Sequence, residues 1–178
     1  MTKTTISALL FLVLTVSSAR AANSALLISK HSAGPIAIGM RAQTPVDKFS
    51  RQKVRLIDLM LEGDLTPALE IQLPGTTRRN AVVAELECRN GLVVSRITVN
   101  DRALATARGI AVGMTVGRLR GAYGPGRLIS GEGGVGIRIE ELAATFGLSN
   151  DSLQDSWYHT TDSSVVPASV KISSILLN

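Results

Sequence analysis

The chain has 178 residues, 45% of them hydrophobic and 3% aromatic, with a formal net charge of +5. That length allows one domain, or two small lobes sharing a core built from Val, Ile, Leu, Ala and Met. Basic residues are scattered, with pairs at Arg78-Arg79 and at Arg118 and Arg120. The dense basic patch with interleaved aromatics that nucleic-acid binding needs is absent, while weak attraction to anionic envelope surfaces remains open.

The first element is a leader. Lys3 supplies a positive start, Ile6 to Val16 an apolar run, and Ala19-Arg20-Ala21 a small-x-small cleavage site. The run is shorter than the ~20 residues that span a bilayer. Residues 1–21 therefore read as a secretory signal peptide, with no transmembrane segment after cleavage and a periplasmic or secreted protein as product. Lys3 and Arg20 leave with it, so the mature chain is less basic than the whole. Residues 22–33, including His31, read as a flexible N-terminal segment.

The remainder, residues 34–178, is expected to form a single α+β domain. Ile36-Ala37-Ile38-Gly39-Met40 is echoed by Ile110-Ala111-Val112-Gly113-Met114, and Val94–Val99 by Ile172–Leu177. This predicts two repeats, about 34–101 and 108–178, each a helix followed by an antiparallel meander, with the two units sharing a sheet. In the first, Thr44 is placed to cap a helix and Pro45 suits its first turn. Strands follow at 53–62, which is dense in apolar residues, then at 67–73, 81–88 and 92–99. Asn90-Gly91 marks a hairpin. In the second, Thr115 caps a helix over 116–122 that Gly124-Pro125 stops, and strands follow near 127–130, 135–141, 143–147 and 170–177.

The glycine-rich segments raise the question of a phosphate loop. A P-loop needs Lys-Ser or Lys-Thr after its last glycine, and Gly113-Met114-Thr115 has no lysine. Gly39, Met40, Gly113, Met114 and Thr115 are instead expected to be structural: the glycines let a strand enter a helix tightly, and the methionines fill gaps between helix and sheet.

The segment Gly109-Ile110-Ala111-Val112-Gly113-Met114-Thr115, followed by Leu119 and Tyr123-Gly124, resembles the Gly-Met-Thr helix start of the outer-membrane assembly lipoproteins of the SmpA/OmlA family. The tandem layout also resembles the repeated unit of beta-lactamase inhibitory protein. The order of elements across 34–178, with Gly91 to Val99 and the ending Pro167…Val170-Lys171-Ile172, is similar to an envelope-stress-regulated lipoprotein family of unknown function. Arg41 stands where the first copy would carry the threonine, and no lipid-bearing cysteine lies near the cleavage site. These resemblances imply a binding module of the cell envelope.

Chemistry is thinly represented. The chain has one cysteine, Cys88, and two histidines, His31 and His159. Cys88 lies on one face of its strand with Val82, Ala84 and Leu86, opposite Glu85 and Glu87, and reads as a buried, inert thiol. No metal, cofactor or catalytic set is expected; Glu140 and Glu141, adjacent in a strand, would face opposite ways. Residues 149–167 break the strand pattern and hold the only Trp. Trp157, Tyr158 and His159 there are the candidate binding residues, with Trp157 either meeting a partner or folding back over a sheet face. The expected function is an exported, non-catalytic binding protein acting on an envelope protein. The alternatives are an inhibitor of an exported enzyme and a small-molecule or lipid binder between the repeats.

Overall fold

Period-2 alternation of apolar residues builds an eight-stranded antiparallel sheet, in which every other side chain faces one buried side. The computed structural model describes residues 26–61, 63–131 and 134–178. The expected signal peptide lies outside them. Among the described residues twelve strands form: β1 (Leu27–Ser29), β2 (Ser32–Ala33), β3 (Ile36–Ala37), β4 (Val54–Leu61), β5 (Asp64–Ile71), β6 (Val82–Cys88), β7 (Leu92–Val99), β8 (Ala105–Thr106), β9 (Arg127–Gly131), β10 (Gly134–Ile139), β11 (Ala144–Leu148) and β12 (Ile172–Leu177). The helices are α1 (Gln43–Lys48) and α2 (Val116–Tyr123). The large sheet has the order β4-β5-β6-β7-β12-β11-β10-β9, and the small one β3-β2-β1-β8.

The α+β expectation, with helix-plus-meander units as its building blocks, is corrected. The described residues are mostly β, with 45% strand in sheets of four and eight strands and 19% helix, 3-10 turns included. The two α-helices have six and eight residues, too short to form a covering layer. Val116 and Leu119 of α2 join the core, but most of the cover comes from the four-stranded sheet and from irregular segments, through Ile28, Ile36, Leu104, Ile110, Trp157 and Val170. The segment expected to be flexible supplies two strands of that cover: residues 27–33 form β1 and β2, bury Ile28 and Ala33, and leave His31 exposed in the turn between them.

Register places the core on one face of the large sheet across its whole width. Val54 and Ile71 face Val82, Val99 and Ile175 along one row; Leu69, Ala84, Ile97, Leu177, Ala144 and Ile139 follow along the next. Fully burying such side chains contributes about 1.5–3 kcal/mol each before entropy is counted.

The Gly-Met pairs do backbone work. Gly39 and Gly113 have φ of 81° and 86°, a region open to glycine and strained for other residues. Gly39 N–H donates to Val94 O and Val94 N–H to Met40 O; Gly113 N–H donates to Ile172 O and Ile172 N–H to Met114 O. Each pair so docks on the start of a central strand, with its methionine against the core. Thr115 Oγ1 accepts from Arg118 N–H and caps α2. Thr44 does not cap α1: it lies inside the helix, whose N-cap is Ala42 without a side-chain bond.

Two smaller expectations also change. Strand β10 stops at Ile139, and Glu140 and Glu141 fall in a 3-10 turn, where Glu141 pairs with Arg108 at 2.8 Å. Cys88 is exposed, not buried. It sits opposite Leu92 beside the turn that closes the β6–β7 hairpin, where Leu92 is exposed as well.

Candidate functional site

The segment singled out for its aromatics is more ordered than a loop. Residues 150–165 carry three 3-10 turns, Asn150–Ser152, Asp155–His159 and Ser163–Val165. Trp157 is 1% exposed and belongs to the core, so it cannot form a surface patch with its neighbours. Tyr158 and His159 are exposed and line a groove of about 590 Å³ beside β9. The segment lies along that edge of the sheet: Leu128 N–H donates to Thr161 O at 2.9 Å, and Arg127 and Asp162 form an antiparallel backbone β-bridge. Arg120 on α2 holds it from behind, donating to the carbonyls of Ser163 and Val166.

The opposite edge, β4, is different. It runs VRLIDLML, with charges only at Arg55 and Asp58. Its hairpin with β5 extends past the core, leaving Leu56 64%, Met60 69% and Leu65 66% exposed. Met60 pairs with Leu65 and Leu56 with Leu69, so the three lie on the face that is buried elsewhere in the sheet. Gln72 N–H donates to Lys53 O at 2.8 Å. Antiparallel alternation then turns the backbone groups of residues 55, 57, 59 and 61 towards β5, and those of Val54, Leu56, Asp58 and Met60 away from the sheet. A long, apolar edge with outward N–H and C=O groups is a template for a further strand.

A basic pocket of about 360 Å³ adjoins the start of β4, lined by Arg51, Lys53, Arg55, Arg79 and Glu70 among others. Arg55 binds Glu70 through Nε and Nη2, both to Oε2, at 3.1 and 2.7 Å. Among the described residues no carboxylate lies within ion-pair distance of Arg51, Lys53 or Arg79. The turn that carries Arg79 is held by Asp101, a buried carboxylate that accepts from Thr77 N–H, Thr77 Oγ1, Arg78 N–H and Ala103 N–H. Burial opposes the Asp101 charge, but these four hydrogen bonds outweigh it and hold the carboxyl below its ordinary value.

On the sheet face opposite the core, burial pushes Glu85 up, and the Arg96 guanidinium at 3.3 Å offsets part of that. Further along the same face Ile129, Gly136, Gly147, Ser174 and Leu176 border a trough of about 210 Å³. Among the described residues no group of three or more His, Cys, Asp or Glu side chains is placed to hold a metal ion, and no helix is long and apolar enough to cross a membrane.

The sequence signals singled out neither the β4 edge nor the pocket beside it. Residues 53–62 do carry a mark, however: a strand apolar on both faces implies either burial on both sides or an open apolar surface. No protein-family model and no curated protein matches the chain. Among solved structures the chain is similar to that of the uncharacterized protein YfeY from Escherichia coli. The two share 18% identity and a TM-score of 0.58, over 85% of this chain and 99% of that one, which shows a common fold.

Proposed function

We propose that the protein is an exported, non-catalytic binding protein of the cell envelope, acting through protein–protein contact at the β4 edge. The observation that carries this reading is the exposed apolar hairpin, with Leu56, Met60 and Leu65 beside a row of outward backbone groups. Monomeric proteins normally protect such an edge with charge, bulges or cover. The three-part leader pattern of residues 1–21 supports export. The small-molecule alternative has less support: the apolar trough, at about 210 Å³, falls below the roughly 300–1,000 Å³ of most ligand pockets, and the larger hollows, of about 360 and 590 Å³, are lined mainly by polar and charged residues and not by the apolar ones that line most such sites.

Site-specific photo-crosslinking in the native envelope tests the reading. A photoreactive residue at position 58 should give a discrete adduct with one protein, and the same group at position 130 should not. That protein, purified, should bind the wild type and lose binding to a Leu56→Lys/Met60→Lys variant of unchanged melting temperature. Equal adducts from positions 58 and 130, or unchanged binding to the double variant, would contradict it.

A further inference from the structure

Resting on that reading, we infer the chemistry and direction of the segment that β4 accepts. It is an extended strand, antiparallel to β4, with carboxylates directly C-terminal to its apolar residues. Three features of the edge lead there.

The first is its hydrogen-bonding row. Val54, Leu56, Asp58 and Met60 turn their backbone groups outward at every second residue, which spans an added strand of about six or seven residues at ~3.3 Å each. The second is the side-chain face: opposite Leu56 and Met60 the incoming strand meets exposed apolar surface, so its residues on that face are apolar.

The third is a charge gradient along the edge. Arg51, Lys53 and Arg79, with no described carboxylate within ion-pair distance, gather at the start of β4. Asp58 stands exposed in the middle, and Asp64 is exposed beyond the far end, across the turn. Carboxylates on the partner are repelled at the middle and tip and attracted at the start. Antiparallel pairing is slightly more stable per residue than parallel and continues the pattern of every pair in this sheet. In that orientation the C-terminal side of the partner reaches the basic pocket, and its N-terminal side lies near Asp64, where a basic residue is favoured. The incoming carboxylates would meet cations that no described carboxylate neutralises, unlike Arg55, which Glu70 already engages.

Two synthetic peptides of the same composition separate charge placement from apolar content. Both alternate valine and threonine, with acetylated and amidated ends. One has lysine first and two glutamates last; the other reverses these. Fluorescence anisotropy on the full mature protein should show the first binding at least tenfold more tightly. High salt should shrink the difference, because a Debye length of about 3 Å at 1 M screens the exposed charges. An Arg51→Gln/Lys53→Gln/Arg79→Gln variant, with unchanged melting temperature, should lose most of the difference and keep only the smaller preference that Asp58 and Asp64 impose; an undiminished difference would remove the basic pocket from the account. If both bind the wild type equally and lose binding to the Leu56→Lys/Met60→Lys variant, the inference on charge and direction falls and the binding edge stands. If the reversed peptide binds more tightly, the direction is wrong. If neither binds, both inference and edge fall.

Discussion

The two edges of the large sheet meet the same physical problem and resolve it differently. Strand β9 is five residues long, starts with Arg127, and has the 150–165 segment laid along it through Leu128 N–H and the Arg127–Asp162 bridge. Strand β4 is eight residues long and apolar at six of them, and its outward groups have no partner strand among the described residues. A chain that closes one edge with its own backbone and leaves the other long and apolar has divided its sheet into a sealed end and an open end, which on the proposed function is the docking end. The aromatic segment that first suggested a binding loop serves the sealed end, through Trp157 in the core and Arg120 behind it.

The largest change to this contrast should come from Trp157→Ala. Removing a fully buried aromatic costs about 3–5 kcal/mol, read by denaturant unfolding, and should release the segment covering β9. Next is Arg120→Met, which leaves the Ser163 and Val166 carbonyls without their donor. A loss of about 2 kcal/mol is expected for charge-assisted bonds, with hydrogen exchange faster at Leu128 than in β6 or β7. If Leu128 stays protected, Arg120 is not the latch of that edge.

A third change acts at the docking end. Asp101→Asn should cost about 1–3 kcal/mol at neutral pH through weakened acceptance of its four bonds, loosening the turn that carries Arg79. The sign follows from its depressed value: the contribution is complete above the ordinary 3.8 and is lost as pH falls through the lower folded value. Wild type and variant should therefore converge in acid. Glu85 works the other way. Its raised value gives a contribution present below the ordinary 4.5 and lost as pH rises through the folded value, and Glu85→Gln should remove that dependence. The smallest effect on stability, within about 0.5 kcal/mol, is expected for Leu56→Lys/Met60→Lys, because both side chains are exposed; any large loss would mean the hairpin is packed in solution.

Much of the large sheet could be read from the sequence because its strands alternate regularly: 81–88 and 92–99 correspond to β6 and β7, with Asn90 and Gly91 both at positive φ between them. The cover could not. Strands of two or three residues such as β2, β3 and β8, and 3-10 turns such as Asp155–His159, are too short to show a period, and so the sequence pattern points to α+β where the fold is mostly β. At the sites, Trp157 gave no signal that separates core from interface. Cys88 shares a face with Leu86 but lies beside the hairpin turn and is exposed, which alternation does not report. The β4 edge was visible as an apolar strand; its position at the rim depends on strand order, a long-range property.

The most direct test of the docking edge is amide hydrogen exchange at Leu56, Asp58 and Met60, with and without the peptide carrying C-terminal glutamates. These amides should exchange freely in the protein alone and become protected on binding, while those of β9 stay unchanged. Protection already present without peptide, or peptide binding that leaves the three amides free, would contradict a partner strand on β4.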